Sequence, residues 1–389
     1  MKAYLEAIKK KLTEEERDFL LGIYEPTVVA TQPADANRGL CVTDDGEIRI
    51  YGVTGKNEPD DEGYPVYISS RDAGLSWKMH RVADKRALGP AGCNPNTGRY
   101  IGAYPNEYRK DKKRLLALRG SYAELACGYD DTDVRYVKLT DDHIHILKKP
   151  LYLERFDRWY ILGEKRCADG EKYAVIFLSD DDGESWREVV LENAPRYEMK
   201  PPHKGVRWQE DSCEPTIAEM PDGRLMILVR TSQDYHYVHY SEDGGESWTS
   251  PAPSRFHGTI TMPVLERLSD GRVVLFWCNT QPMPELDHEE TFPPLDSDER
   301  RGRWEDVFTN RDANHLAITS DGEDWYGFRE LCLNPIRNDA DFRSVGGRDT
   351  RDKSVHQAEI LELPYNKLLV SFGQNGAVRR VVILDTGWL

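Results

Sequence analysis

Ser70-Arg71-Asp72-Ala73-Gly74-Leu75-Ser76-Trp77 reads Ser, any residue, Asp, any residue, Gly, two residues, Trp. The same phrase returns as Ser179-Asp180-Asp181-Asp182-Gly183-Glu184-Ser185-Trp186 and as Ser241-Glu242-Asp243-Gly244-Gly245-Glu246-Ser247-Trp248. A shortened copy runs Thr319-Ser320-Asp321-Gly322-Glu323-Asp324-Trp325. Its residue types suit a hairpin turn: Ser and Asp side chains bond nearby backbone N–H groups, Gly supplies a positive φ, and Trp covers the turn from the adjoining strand. Each recurrence marks one supersecondary unit that must stack on its neighbours. The four Trp positions lie 109, 62 and 77 residues apart. A four-stranded propeller blade takes roughly 40–65 residues, so the first gap holds two blades, one without the phrase. The expected fold is all-β, a six-bladed β-propeller of roughly 60 residues per blade, with seven blades as the alternative.

Composition narrows the function classes. The 389 residues carry a formal net charge of −16, which argues against nucleic acid and anionic membrane as partners. An anionic ligand would need a local island of Arg within that acidic field. Nine Trp and 20 Tyr suit carbohydrate binding, although propeller blades also pack through aromatic rings. Seven scattered Cys with no CxxC read as reduced, mostly buried thiols and point to a cytoplasmic protein. The first residues lack an apolar signal-peptide core, and no apolar run is long enough to span a membrane.

Residues 1–25 form one unit in this reading and residues 26–389 the propeller. Ala3, Leu5, Ile8, Leu12, Phe19, Leu20 and Ile23 recur at helical spacing around the capping box Thr13-Glu14-Glu15-Glu16. Two short amphipathic helices are expected, packed on the propeller; homo-oligomer formation through them is the alternative. Strand patterns fall at residues 47–53, 173–178, 224–230, 235–240, 272–277 and 367–372. Residues 281–310 and 334–354 are too long and polar for hairpins and are expected to wall a ligand site.

The recurring phrase is the Asp-box, and from about residue 30 onward the chain resembles the sialidase (neuraminidase) superfamily of propellers with BNR/Asp-box repeats. The stretch Ser212-Cys213-Glu214-Pro215-Thr216-Ile217-Ala218-Glu219, followed by Arg224-Leu225 and ending Val229-Arg230-Thr231-Ser232, is similar to the family segment that supplies a buried Glu and a substrate Arg. By that resemblance Glu214 activates or orients the catalytic group and Arg230 is one of three substrate arginines. A strand-end pair between Glu214 and Arg230 is the plainer reading. Arg38 and Arg311 match the other two arginines, with Gly39 standing where the family has Ile-Pro. Arg348, in the Arg-rich segment Gly346-Gly347-Arg348, is a fourth candidate substrate contact. Three converging guanidinium groups make a multi-donor clamp for a carboxylate. The family acid/base is an Asp on a loop between the first two strands of blade 1, which Asp60 or Asp61 matches.

One departure bears on chemistry. The family nucleophile is a Tyr placed just before a strand of the last blade, and His356, in Ser354-Val355-His356-Gln357-Ala358-Glu359-Ile360, occupies that place. An imidazole serves as a general acid or base near neutral pH, not as a phenolate equivalent. Tyr104, Tyr108 and Tyr365 are the candidates to replace the phenol. His236 and His239 fall on opposite faces of one strand, which rules out a simple two-His metal pair. No zinc spacing, P-loop or dinucleotide fingerprint occurs. No cofactor or metal is called for, although acidic loops such as Tyr129-Asp130-Asp131-Thr132-Asp133 have the oxygen ligands that calcium takes. The expectation is a glycoside hydrolase acting on the terminal, acidic sugar of an oligosaccharide. A lyase on the same propeller and a non-catalytic carbohydrate-binding propeller are the alternatives.

Overall fold

The computed structural model describes residues 2–32, 39–54, 64–81, 89–103, 123–130, 132–142, 144–146, 148–167, 172–198, 211–258, 261–279, 313–333, 358–372 and 379–389. Six antiparallel sheets follow one another along the chain. Blade 1 is Leu40–Val42, Ile48–Thr54, Tyr64–Ser70 and Lys78–Arg81. Blade 2 is Ala91–Asn94, Arg99–Gly102, Ala123–Gly128 and Val134–Thr140. In blade 3, Ile144–Ile146 and Leu151–Leu153 share one partner, Arg158–Arg166, which is followed by Lys172–Ser179 and Arg187–Val190. Blade 4 is Cys213–Glu219, Leu225–Arg230, Tyr235–Ser241 and Ala252–His257; blade 5 is Val264–Arg267, Val273–Trp277, Ala313–Thr319 and Trp325–Leu333.

Blade 6 combines Glu359–Leu363, Lys367–Phe372 and Arg379–Asp385 with an outer strand from the other end of the sequence, Thr27–Gln32. Successive blades touch in a closed circle, through their first strands except between blades 3 and 4, where Arg158–Arg166 meets Cys213–Glu219, and blade 6 meets blade 1 again. The six-bladed ring therefore stands, and the long first Trp interval holds a blade without a box, as the spacing predicts. The strands recognised by pattern all form, with ends displaced by a residue or two.

The Asp-boxes close the turns between third and fourth strands by one shared scheme. In the first box, the Ser70 hydroxyl accepts from Gly74 N–H at 2.8 Å and donates to Asp72 at 2.6 Å, Ser76 N–H donates to Asp72 at 2.9 Å, and Trp77 Nε1 donates to the Gly74 carbonyl at 2.9 Å. The boxes at Ser179 and Ser241 repeat the Ser–Gly bond at 2.8 Å each. Burial pushes the Asp243 carboxyl up, but the hydrogen bonds from Ser247 and Ser241 outweigh it and hold it at about 2.

Each box also reaches the blade before it. A side chain at Gly74 would meet Leu369 of blade 6, one at Gly183 Ile101 of blade 2, and one at Gly245 Tyr160 of blade 3. Asp182 accepts from Asn94 and Thr97 of blade 2 at 2.8 and 2.9 Å, and Arg224 of blade 4 bonds Glu323 of the fourth box at 2.7 Å. Turn and inter-blade wedge are one device.

Two helices, Ala3–Lys11 and Glu14–Gly22, lie against the box end of the ring. The predicted capping box is present, with Thr13 and Glu16 each accepting from the other's backbone N–H. Lys2 pairs with Glu266 of blade 5 and Glu362 of blade 6 at 2.8 and 3.3 Å, Ile8 lies against Gly46 of blade 1, and Lys11 bonds Asp45 at 2.8 Å. The first helix thus bridges three blades, and Ile8, Leu20 and Ile23 join the core between blades 6 and 1. Among the described residues no helix is long and apolar enough to cross a membrane. Of the cysteines, Cys41, Cys127, Cys213 and Cys278 are buried free thiols.

Gly183 has φ +84°, and a Cβ there would lie 2.3 Å from Ile101 Cδ1, whereas Gly98, at φ +74°, faces open space. Gly183→Ala should therefore cost about 1–3 kcal/mol, combining backbone strain with displacement of Ile101, and Gly98→Ala about 1 kcal/mol from strain alone. Urea unfolding midpoints of the two variants measured side by side check that order.

Candidate active site

Blade 4 is a meander, so its turns alternate between the two ends of the ring. The turn at residues 220–224 and the Asp-box at residues 241–248 lie at one end; the start of Cys213–Glu219 and the end of Leu225–Arg230 lie at the other. That opposite end holds the segment singled out from the sequence. Cys213 pairs with Arg230 and Thr216 with Leu228, so the first strand carries one extra residue between them. Glu214 sits in this bulge at φ +44°, a conformation uncommon for a residue with a side chain. Its Oε2 accepts from Arg230 Nη1 at 2.7 Å, and each residue is only 7% exposed.

The Glu214–Arg230 pair joins the plainer reading of these residues to the functional one. A buried carboxylate is affordable because a guanidinium faces it, and loss of either partner would cost about 3–5 kcal/mol by leaving a charge uncompensated. One guanidinium N–H of five is committed to Glu214. The result is a carboxylate held against a guanidinium at the end of the inner strands.

His236 completes the cluster. Val229 pairs with Tyr237, which places His236 on the neighbouring strand beside Arg230. The ring is fully buried; its Nε2 lies 3.4 Å from Thr261 Oγ1, and a Cβ at Gly258 would come within 2.5 Å of that nitrogen. Burial lowers its pKa to about 3, with the Arg230 charge pushing the same way and the Val229 backbone and Glu214 opposing. Arg230 thus has a neutral imidazole, not a second cation, as its neighbour. His239, on the other face of that strand, bonds the Thr249 carbonyl at 2.9 Å through Nδ1 and is lowered by burial as well.

At the same end, blades 6 and 1 are tied through Glu359. Its carboxylate accepts from Gly39 N–H at 2.8 and 2.9 Å and from Leu40 N–H at 2.9 Å. This clasp fixes the backbone immediately after Arg38, and it escapes sequence reasoning because the contact spans 320 residues. Its only signal is position, three residues after His356 at the start of an inner strand.

Arg38, Asp60, Asp61, Arg311, Arg348 and His356 lie outside the described residues, as do Tyr104, Tyr108, Asp131 and residues 281–310 and 334–354. Two expectations need correction. The stretch with Asp60 and Asp61 joins the second and third strands of blade 1, not the first two, because the short strand Leu40–Val42 precedes them. Its flanking strand ends, Thr54 and Tyr64, nevertheless emerge at the end that carries Glu214 in blade 4. Tyr365 belongs to the turn between the first two strands of blade 6, at the box end, where Lys9 lies 5.9 Å from its ring centroid. That is the end opposite Glu214 and Arg230. In the acidic turn of blade 2, Asp130 accepts from Thr132 and Asp133 N–H, and among the described residues no group of three or more His, Cys, Asp or Glu is arranged to hold a metal ion.

Residues 145–335, just under half of the chain, match the BNR repeat-like domain family. No curated protein matches the sequence. Among solved structures, a Dyadobacter fermentans protein of unknown function is 16% identical with a TM-score of 0.55, the alignment covering 93% of this chain and 98% of that one. The Trypanosoma rangeli sialidase bound to 2,3-difluorosialic acid as a covalent intermediate is 15% identical, TM-score 0.53, covering 93% of this chain and 55% of that one. The NanB sialidase of Streptococcus pneumoniae is 10% identical, TM-score 0.55, covering 97% and 73%. This chain therefore spans about half the length of the trypanosomal enzyme. At these identities the likeness is one of fold.

His236 gives the site a pH signature. Its unfolded pKa is near 6.5 and its folded value about 3, so below pH 6.5 only the unfolded chain gains the proton. Its contribution is complete above pH 6.5 and falls by roughly 1.4 kcal/mol per pH unit as pH drops toward 3. In urea titrations at pH 7.5, 6 and 5, the stability gap between wild type and His236→Asn should narrow at that rate below pH 6.5. A constant gap would mean that the folded protein takes up the proton as readily as the unfolded chain.

Proposed function

We propose that this BNR-repeat β-propeller with the sialidase fold is a glycoside hydrolase acting on the terminal, acidic sugar of an oligosaccharide at the end of the ring opposite its Asp-boxes. The observation that carries the proposal is the buried Glu214–Arg230 pair, set by a bulge at the mouth of blade 4. A turn or strand cap has no need of a carboxylate held in left-handed backbone beside a guanidinium, whereas a site handling an acidic sugar needs both signs of charge, fixed and partly desolvated.

In this mechanism Arg230, with Arg38 and Arg311, holds the sugar carboxylate. Asp60 or Asp61 donates a proton to the leaving oxygen as the glycosidic bond breaks. Glu214, kept ionised by Arg230, stabilises the positive charge that develops at the anomeric carbon, or takes a proton from the attacking water through His356. Water attack on the face opposite the leaving group gives inversion. His236, uncharged, leaves the field at Arg230 undiluted.

One observation favours a second reading. Arg230 is already bonded to Glu214, as in a propeller that binds sugars without cleaving them. Chromogenic glycosides of sialic acid, glucuronic acid, rhamnose and arabinose, tested on wild type, Glu214→Gln, Asp60→Asn and Asp61→Asn, separate the two. Hydrolysis of an acidic glycoside, with kcat reduced about 100-fold or more in Glu214→Gln and in one Asp variant, is the expected result. Glutamine keeps an acceptor for Arg230 but leaves its charge uncompensated, so circular dichroism confirms that the variant is folded before rates are compared. Binding of an acidic sugar with no turnover of any substrate would establish the second reading, and formation of an unsaturated product would establish a lyase.

A further inference from the structure

Five of the six inter-blade seams are closed by clusters of eleven or more buried apolar residues among those described. Among the described residues, the face of blade 1 toward blade 2 contributes the buried Cys41 and Tyr51, with Tyr67 packed against them. This seam also lacks an Asp-box wedge. Where blades 1, 3, 4 and 5 send an Asp-box onto the preceding blade, blade 2 has Tyr129 and Asp130, and Asp130 turns its carboxylate back on its own loop. What remains is a cleft of about 380 Å³, opening at the box end and lined by Tyr51, Tyr100, Tyr129, Asp44, Asp130 and Arg49 among others.

The lining selects a class of ligand. Arg49 is spent: its guanidinium bonds Glu47 at 3.1 Å and lies 5.0 Å from the Tyr67 ring centroid. Asp45 is likewise engaged, by Lys11 and Arg71 at 2.8 and 3.0 Å, so Asp44 and Asp130 set the sign of the cleft and disfavour an anion. Tyr129 is 57% exposed and presents a ring at the entrance. Asp44 N–H donates to the Tyr100 hydroxyl at 2.8 Å, which holds the two walls in register across the seam. Aromatic faces for the C–H side of a pyranose, carboxylates to accept its hydroxyls, and a volume in the range of small-molecule sites meet here.

We propose that the seam between blades 1 and 2 is a second ligand site, for a neutral saccharide unit, at the opposite end of the ring from Glu214 and Arg230. The proposal is independent of any catalysis by those residues.

The test is saturation-transfer NMR and titration calorimetry of full-length protein with lactose as the neutral probe and N-acetylneuraminic acid as the anionic one. Proteins compared are wild type, Tyr129→Ala, Asp44→Asn and Glu214→Gln. Lactose should bind wild type and Glu214→Gln alike and lose about tenfold or more in affinity with Tyr129→Ala and with Asp44→Asn. Tyr129 is exposed, so its truncation leaves folding intact, which near-ultraviolet circular dichroism verifies. Three outcomes overturn the proposal: no lactose binding at millimolar concentration, lactose binding unchanged by both seam variants, or acidic sugar competing with lactose at equal affinity.

Discussion

A propeller blade is a four-stranded sheet with two apolar faces, and it cannot be stable until both are covered by other blades. Everything else in this protein is arranged around that constraint. The Asp-box meets it locally: the same Ser and Asp that close a turn hold a glycine against the preceding blade, so that forming the hairpin and seating it are one event. The constraint also divides the ring into two ends. The box end carries the wedges and is further bridged by the first helix, while the far end carries the Glu359 clasp together with a bulge, an uncommon backbone conformation and a buried charge.

The fold was legible because its signal is local and repeated. Ser70, Asp72, Gly74 and Trp77 act within eight residues of each other, and hydrogen-bonding capacity and backbone freedom explain each choice. Even the missing box could be inferred, from an interval too long for one blade. Glu214 and Arg230 were legible as a pair of strand ends because they belong to consecutive strands of one hairpin.

Contacts between distant parts of the chain were not legible. Nothing in the run around Glu359 announces that its carboxylate will meet Gly39 and Leu40, because that meeting exists only once the ring is closed. That Tyr365, one of three candidate phenols, lies at the box end shows only once the meander is followed. The order of strands around Asp60 and Asp61 was misjudged because Leu40–Val42, three residues long, is too short to show a two-residue period. His236 could be assigned to a strand face from its neighbours, but its burial is set by Gly258 and Thr261, on the far side of the next strand.

The outer strand of blade 6 comes from residues 27–32 and its partner from residues 379–385. Ring closure therefore joins segments separated by nearly the whole chain, a contact of very high sequence separation that brings a large loop-closure entropy and slow formation. On the ribosome, Thr27–Gln32 is made first and must wait unpaired while five blades are synthesised and folded. Through that interval an extended segment and, later, the edge of Arg379–Asp385 are both open to pairing with another chain. Two molecules caught at this stage can exchange these strands, each closing the other's ring.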